Sequence, residues 1–365
     1  MKLRQLSDLV IPVVTWNPAR LGPEESFQYI DLSAVDQDMK SIVGARKVGC
    51  GEAPSRARQL VEAGDILVST VRPNLNGVAR VPEELDGATA STGFCVVRPK
   101  PELLDSSYLF HWVKSAEFIN DMVKKATGAS YPAVSDRIVL ESMIPLPSLS
   151  EQRRIAAVLD QAEALRAKRQ EVLSQLDELQ RAIFAELFGS PNSKSMKKEP
   201  IGSLLKLKSG DFLPSASMAG NGIYPVFGGN GINGYHDKYM FDSPKIVIGR
   251  VGVYCGCVHI SPEKSWITDN ALFVSDLDSR LEFDYLAFAL KQARLNQYAS
   301  QSAQPLISGS RIYPVEIIVP PKDKQLDFII KINKISAFEK KAKYSHEILN
   351  DLFSCLQYHA FQGGL

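Results

Sequence analysis

The chain has 365 residues, 45% of them hydrophobic, with 42 Lys and Arg against 41 Asp and Glu for a net charge of +1. That length holds two or more domains, and the balanced charge excludes a nucleic-acid binder working by a bulk basic field, leaving local patches and specific contacts. Five cysteines, odd in number and irregular in spacing, suit reduced thiols; with no membrane-length apolar run and no signal-type start in Met1-Lys2-Leu3-Arg4-Gln5, a soluble cytoplasmic protein is expected.

Residues 1–147 read as a mixed α/β domain. Residues 27–32, 64–70 and 93–98 have the composition of strands, and polar loops punctuated by Gly and Pro lie between them. Those loops carry Arg46 and Lys47, Arg56 and Arg58, and the stretch Arg72-Pro73-Asn74-Leu75-Asn76-Gly77. Residues 107–125 have helical periodicity, the small-residue loop behind them holds Thr127, Ser130 and Tyr131, and a short strand is expected over 138–144. Arg and Asn are side chains that read base edges, Arg on guanine and Asn on adenine. A solvated turn explains the spelling around Arg72, Asn74 and Asn76 equally well.

The chain is organised around the stretch that follows. Ser148-Leu149-Ser150-Glu151 spells a capping box, and Gly189 and Pro191 stop what it starts. Between them Ile155, Val158, Ala162, Leu165, Arg169, Val172, Leu176, Leu179 and Ile183 alternate in steps of three and four, a heptad seam interrupted only by Arg169, which reads as a register device or a partner contact. A helix over 148–189, about 40 residues at 1.5 Å each, spans roughly 60 Å. No single core needs that length, so the rod is a spacer or has a partner helix.

Residues 190–199 are a linker by composition, and 200–321 replay the first domain in shorter form. Leu6-Ser7-Asp8-Leu9 resembles Ile201-Gly202-Ser203-Leu204, Asp65-Ile66-Leu67-Val68 matches Lys245-Ile246-Val247-Ile248, and Arg137-Ile138 matches Arg311-Ile312. The loops do not match, as expected if two copies of one scaffold recognise different things. Candidate contacts here are Asn230, Asn233, Tyr235 and His236 in a Gly-rich loop, Arg250 at a strand end, and Gln304, Ser308 and Arg311 in the final loop. Cys255-x-Cys257 with His259 is too tightly spaced for a metal site and lacks a fourth ligand, so it reads as a strand with small inward residues.

A second rod over 322–365 carries Ile329, Ile332, Ile335, Phe338, Leu349, Leu352 and Leu356, with Ala342 and Ser345 weakening its seam. A shift of 174 positions puts Ile144-Pro145-Leu146-Pro147 on Ile318-Val319-Pro320-Pro321 and Ile155 on Ile329, and at the far end 177 positions put Phe184 on Phe361. Lys322 stands where the first rod has its capping Ser148.

Over nearly its whole length the chain resembles the specificity (S) subunits of type I restriction–modification enzymes. The likeness rests on the Ile-Pro-Leu-Pro-Ser-Leu-Ser-Glu-Gln-Arg-Arg-Ile run that ends at Ile155, on Ala182-Ile183-Phe184-Ala185-Glu186-Leu187-Phe188, and on Ala360-Phe361-Gln362-Gly363-Gly364-Leu365. Tyr224-Pro225-Val226-Phe227-Gly228-Gly229-Asn230-Gly231-Ile232, followed by Val247-Ile248-Gly249-Arg250, belongs with them, whereas Lys322-Asp323-Lys324-Gln325 departs from the pattern. The resemblance implies an α+β fold: two mixed α/β target-recognition domains in pseudo-two-fold repeat, separated by two long antiparallel helices in a coiled coil. It also implies a bipartite, asymmetric double-stranded DNA target, docking of two methyltransferase (M) subunits, and restriction (R) subunits held through them. The chain itself would bind no cofactor, with S-adenosylmethionine, ATP and Mg on partner subunits, and would not catalyse.

Two other classes are weighed beside this one. A self-contained modification enzyme, or a related type II specificity subunit, draws on Phe227-Gly228-Gly229-Asn230-Gly231, which fits the F-x-G-x-G pattern of methyltransferases. Gly234-Tyr235-His236 follows where a helix is needed, however, and no N-P-P-Y loop or Gly-Lys phosphate loop occurs. A helical scaffold unrelated to DNA is the third class, and binding to a randomised duplex pool separates it from the first.

Overall fold

The computed structural model describes residues 1–22, 24–189, 196–218, 222–302 and 304–364. Two compact units are present: residues 1–170 with 345–365, and residues 171–344. In the first, strands β1 (Leu3–Gln5), β2 (Val10–Ile11), β3 (Ser26–Ile30), β4 (Val35–Asp36), β5 (Ser41–Ile42), β6 (Arg46–Gly49), β7 (Ala57–Leu60), β8 (Ile66–Ser69), β9 (Val78–Arg80), β10 (Thr89–Ser91) and β11 (Phe94–Pro99) precede helices α1 (Ser106–Val113), α2 (Ala116–Lys125) and α3 (Asp136–Leu140). Strand β12 (Met143–Pro145), paired antiparallel with β1, then leads into the long helix α4 (Leu149–Phe188).

Two four-stranded sheets, β2-β11-β8-β9 and β6-β3-β10-β7, make the frame. Strand β8 is apolar on both faces because both are covered. Ile66 and Val68, with Cys95 and Val97, pack against Tyr108, Leu109 and Trp112 of α1, while Leu67, Phe94 and Val96 pack against Ile30, Val61 and Ala90 on the other side.

The second unit repeats this order with β13 (Lys198–Pro200), α5 (Ile201–Leu204), β14 (Leu205–Ser209), β15 (Tyr224–Gly228), β16 (Gly231–His236), β17 (Lys245–Gly249), β18 (Val258–Ser261), β19 (Trp266–Ile267) and β20 (Ala271–Leu277). Helices α6 (Phe283–Gln292) and α7 (Gly309–Ile312), strand β21 (Glu316–Ile318) and the long helix α8 (Lys322–Gln362) complete it. The sheets are β14-β20-β17-β18 and β16-β15-β19, and β13 pairs with β21 as β1 does with β12. Ile246 and Ile248 face α6, whereas Val247 faces Phe227 and Ile267.

Each unit is closed by the start of one long helix and the end of the other, which run antiparallel there. In the first unit Ile155, Ala156 and Leu159 of α4 share a core with Phe353, Ala360 and Phe361 of α8. In the second, Phe184 and Phe188 of α4 meet Phe328 of α8. A buried glutamine locks each helix start to its own domain. Gln152 donates to the Pro147 and Leu103 carbonyls, both at 3.0 Å, and accepts from the Asp105 amide at 2.9 Å. Gln325 repeats this with the Pro320 and Arg280 carbonyls, at 2.8 and 2.9 Å, and the Glu282 amide at 2.8 Å. Tyr108 donates to the Pro145 carbonyl and Tyr285 to that of Ile318.

These paired locks set the repeat at 173 positions, not 174: Gln152 answers Gln325, and the position of Ser148 is taken by Pro321 rather than Lys322. Ser148 Oγ accepts from the Glu151 amide at 3.4 Å, but the Glu151 carboxylate turns to Arg154 at 2.7 and 2.9 Å instead of closing the capping box.

Other expectations are corrected. The strand expected over 138–144 is α3 followed by β12, because Ser135 caps a helical turn by accepting from the Ile138 amide. The helix expected over 107–125 breaks at Lys114, since Ser115 caps α2. Residues 190–195 of the linker lie outside the described residues, and its last part is strand β13. Cys255 and Cys257 lie on a turn, not a strand, which begins at Val258.

The seams also shift. The inward positions of α4 are Gln152, Ile155, Leu159, Ala162, Arg166, Arg169, Leu173, Leu176, Gln180, Ile183 and Leu187, and those of α8 run from Gln325 to Ala360 in the same alternation of three and four. Leu165 and Leu179 are 57% and 47% exposed, and Phe338 and Leu352 are 66% and 49% exposed. Polar side chains hold the inward places instead. Arg166 donates to Asn350 at 2.7 Å and lies 4.5 Å over the Phe353 ring, and Gln180 donates to Glu339 at 2.9 Å.

Candidate nucleic-acid interface

In the first unit a turn and a loop are joined by backbone. The Arg72 amide donates to the Pro132 carbonyl at 2.7 Å, the Val134 amide to that of Thr70 at 2.9 Å, and Thr127 and Ala133 exchange both bonds at 2.9 Å. Arg72, Thr127, Ser130 and Tyr131 are thereby gathered on one exposed rim, with the Arg72 guanidinium 4.6 Å from the centre of the Tyr131 ring. Arg72 has φ +51°, the left-handed region, which costs a residue with a Cβ roughly 1–2 kcal/mol. Asn74 is exposed on the same turn. Asn76 is half-buried: its side chain donates to the Lys114 carbonyl and its own carbonyl accepts from Lys40 at 2.6 Å.

The remaining basic candidates of this unit belong to the other sheet. Arg46 and Lys47 are exposed on edge strand β6, Arg46 lying 6.0 Å from the Tyr29 ring centre. Arg58 on the opposite edge strand, β7, is half-buried and donates to its neighbouring carbonyl, Ala57, at 2.7 Å. Arg56 is exposed just before β7; its carbonyl accepts from Thr92, and Gly93 accepts from Thr70, so backbone links Arg56 to the Arg72 turn.

The second unit has the equivalent joint. The Ile307 amide donates to the Arg250 carbonyl at 2.8 Å and the Gly252 amide to that of Pro305 at 2.9 Å. These bonds place Thr70-Val71-Arg72 and Arg250-Val251-Gly252 in equivalent positions, so Gly252 (φ +78°), not Arg250, stands where Arg72 does. Arg250 is half-buried, donating to Ser209 Oγ at 3.1 Å and the Asp269 carbonyl at 3.3 Å. A Cβ on Gly249 would collide with the Tyr254 and Gly229 carbonyls, so this turn and the β15–β16 turn pack backbone against backbone. Asn230 is exposed at the tip of that hairpin, and Tyr235 and Asn233 are exposed along it, the Asn233 side chain lying across Gly228. His236 is turned inward, its Nδ1 3.0 Å from the Ser217 carbonyl and its ring 5.5 Å from Trp266.

Gln304 is exposed on the final loop, Ser308 stands at the start of α7 and bonds to Ser310 at 2.8 Å, and Arg311, expected on the loop, lies on α7 and donates to the Tyr298 carbonyl at 3.3 Å. At the tip of the turn after Gly252 stand Val253, 86% exposed, and Tyr254, 44% exposed, neither singled out from the sequence. Extending the match of Asp65 with Lys245 by a few residues would have found them.

Cys255 is buried, its thiol directed at the Arg250 and Pro305 carbonyls, and burial pushes its pKa up. Among the described residues His111, Asp160 and Glu163 bring potential ligand atoms together, but Lys114 Nζ already holds both Glu163 oxygens, at 2.8 and 2.6 Å. A buried ammonium there opposes a second cation.

Two copies of one frame, each presenting a different set of loops, define a duplicated recognition protein. The chain belongs to the type I restriction–modification specificity family: the model described as "Type I restriction modification DNA specificity domain" matches residues 58–175 and 193–350. The EcoprrI specificity subunit of Escherichia coli is 28% identical over 242 residues, 62% of this chain and 59% of that one, so the chain spans about six-tenths of that relative. The EcoKI specificity subunit of Escherichia coli K12 is 24% identical over 327 residues, 74% of this chain and 68% of that one. A chain solved in a study of complex assembly in a type I R-M system aligns over 100% of this chain and 98% of its own, with TM-score 0.58 and 25% identity. The S subunit from M. genitalium has the same fold, with TM-score 0.60 and 15% identity over 99% and 96% of the two chains.

Proposed function

We propose that the chain is the DNA-reading, non-catalytic subunit of a type I restriction–modification complex. Each domain reads one half of a bipartite, asymmetric duplex target, and the two long helices dock two methyltransferase subunits, through which restriction subunits attach. The observation that carries this reading is the pair of equivalent turns, built on the same backbone joint yet presenting Arg72 beside Tyr131 in one unit and Val253 with Tyr254 in the other. Phosphate contacts would come from the exposed Arg46, Lys47 and Arg56, and orientation from exposed polar side chains such as Asn74 and Asn230. Leu165, Leu179, Phe338 and Leu352, left outside the helix pair, offer apolar surface to partner helices. S-adenosylmethionine, ATP and Mg belong to the partners in this reading. No helix among the described residues is long and apolar enough to cross a membrane.

Selection from a randomised duplex pool tests it. The chain assembled with its methyltransferase subunits should enrich two short, unlike, non-palindromic blocks with an indifferent spacer between them, and the chain alone should transfer no methyl group. A palindrome, a single uninterrupted block, or methylation by the isolated chain would sink the reading.

A further inference from the structure

The two equivalent turns differ in the chemistry they present. At Arg72 the chain keeps a long cationic side chain in a left-handed conformation, where the equivalent residue of the second unit is Gly252. A glycine would adopt that backbone without strain, so the turn alone does not explain the arginine. Its guanidinium lies against the face of Tyr131, which is 69% exposed, so the ring pre-orients the fork without burying it.

In the second unit the turn carries no such group. Arg250 is drawn inward to Ser209 and Asp269, and the tip exposes Val253 and Tyr254, beside Leu306, whose backbone bridges to Val251. An apolar side chain held in solvent at a rigid turn has one rewarding target on a base edge in the major groove, the thymine methyl group, just as an oriented guanidinium has guanine O6 and N7.

We propose that the two turns are equivalent base readers of opposite chemistry: Arg72, aligned by Tyr131, reads a guanine in one half-site, and Val253 with Tyr254 reads a thymine methyl in the other. This rests on the DNA-reading function proposed above and assigns the specificity-determining residues within it.

Sites are selected from a randomised duplex pool by the assembled complex carrying the wild-type chain, Arg72→Gly, Arg72→Lys or Val253→Ser. Arg72→Gly should abolish the preference for one G·C pair in one block and weaken binding to the wild-type site about ten- to a hundredfold, leaving the other block intact. Arg72→Lys should keep a weaker preference for that G·C pair, because an ammonium still donates to guanine O6 and N7 but lacks the planar fork that Tyr131 aligns. Val253→Ser should relax one T·A pair in the other block. Replacing that thymine by uracil should weaken the wild-type chain about fourfold, the value of one buried methyl, and leave Val253→Ser unchanged. Retention of the wild-type G·C preference by Arg72→Gly would make Arg72 at most a phosphate contact and overturn the assignment. So would an unchanged consensus in Val253→Ser, or losses from both turns in the same block. If the wild-type chain selected no two-block site, the proposed function would fail and this inference with it; two blocks with indifferent variants would overturn this inference alone.

Discussion

His111 is fully buried where α1 meets the long helices, and burial, with Lys114 close by, lowers its pKa although Asp160 bonds its Nε2 at 2.8 Å. A histidine whose folded pKa lies below its ordinary value favours folding in its neutral form. Its contribution is complete above the unfolded value near 6.5 and is lost as the pH falls below it. The thermal midpoint of the wild-type chain should therefore drop between pH 7.5 and pH 5.5, and that drop should be smaller in His111→Phe, which keeps the packing against Phe353. Equal slopes would clear His111 of the effect. Arg72→Gly bears on stability too: relief of the left-handed strain is offset by the freer unfolded chain and by the lost stacking on Tyr131, so its stability in urea should stay within about 1 kcal/mol of wild type. At this scale the sequence showed which residue types crowd the loops but not which way they turn. Asn76, His236 and Arg250 look like readers in sequence, yet each is tied to a carbonyl from a distant segment, those of Lys114, Ser217 and Asp269. Val253 was passed over because an apolar residue near a strand reads as core.

The helices were legible in extent and misread in phase. Both were expected from heptad spacing, and every seventh residue of the expected seam, Ile155, Ala162, Arg169, Leu176 and Ile183, does face inward. The alternate positions are displaced by one because pattern reading prefers Leu165 to Arg166 and Leu179 to Gln180, whereas the helix pair buries the polar neighbour in a paired layer. Arg166 with Asn350 and Gln180 with Glu339 fix register in the way a polar residue at a coiled-coil core position does. Two adjacent leucines should accordingly behave differently. Leu176→Ala, at a half-buried inward position, should cost about 2 kcal/mol of unfolding free energy, while Leu179→Ala should leave stability within about 0.5 kcal/mol and weaken association with methyltransferase subunits. Stability loss in both, or in neither, would mean that the inward positions are wrongly drawn.

Each long helix contributes residues to both units, with α4 passing from the first to the second between Gln170 and Glu171 and α8 returning between Tyr344 and Ser345. The strict three–four alternation in both helices limits how they can be lengthened. Four residues added to one helix alone would move its later inward positions against unshifted partners, breaking layers such as Gln180 with Glu339. Seven residues added to both, at those two points, preserve the alternation and lengthen each helix by about 10.5 Å, close to three base pairs of B-DNA at about 3.4 Å each. Both recognition frames and their turns are untouched by such an insertion. If the helices transmit the spacing between half-sites, the doubly extended chain should assemble with its partners and select the same two sequence blocks, with the spacer lengthened by about three base pairs. Some of the change is open to absorption by DNA bending, which over a short site costs of order 1–6 kcal/mol, so two base pairs would still agree with transmission. The original spacer, recovered with full affinity by a folded, assembled complex, would show that something other than the helices measures the DNA.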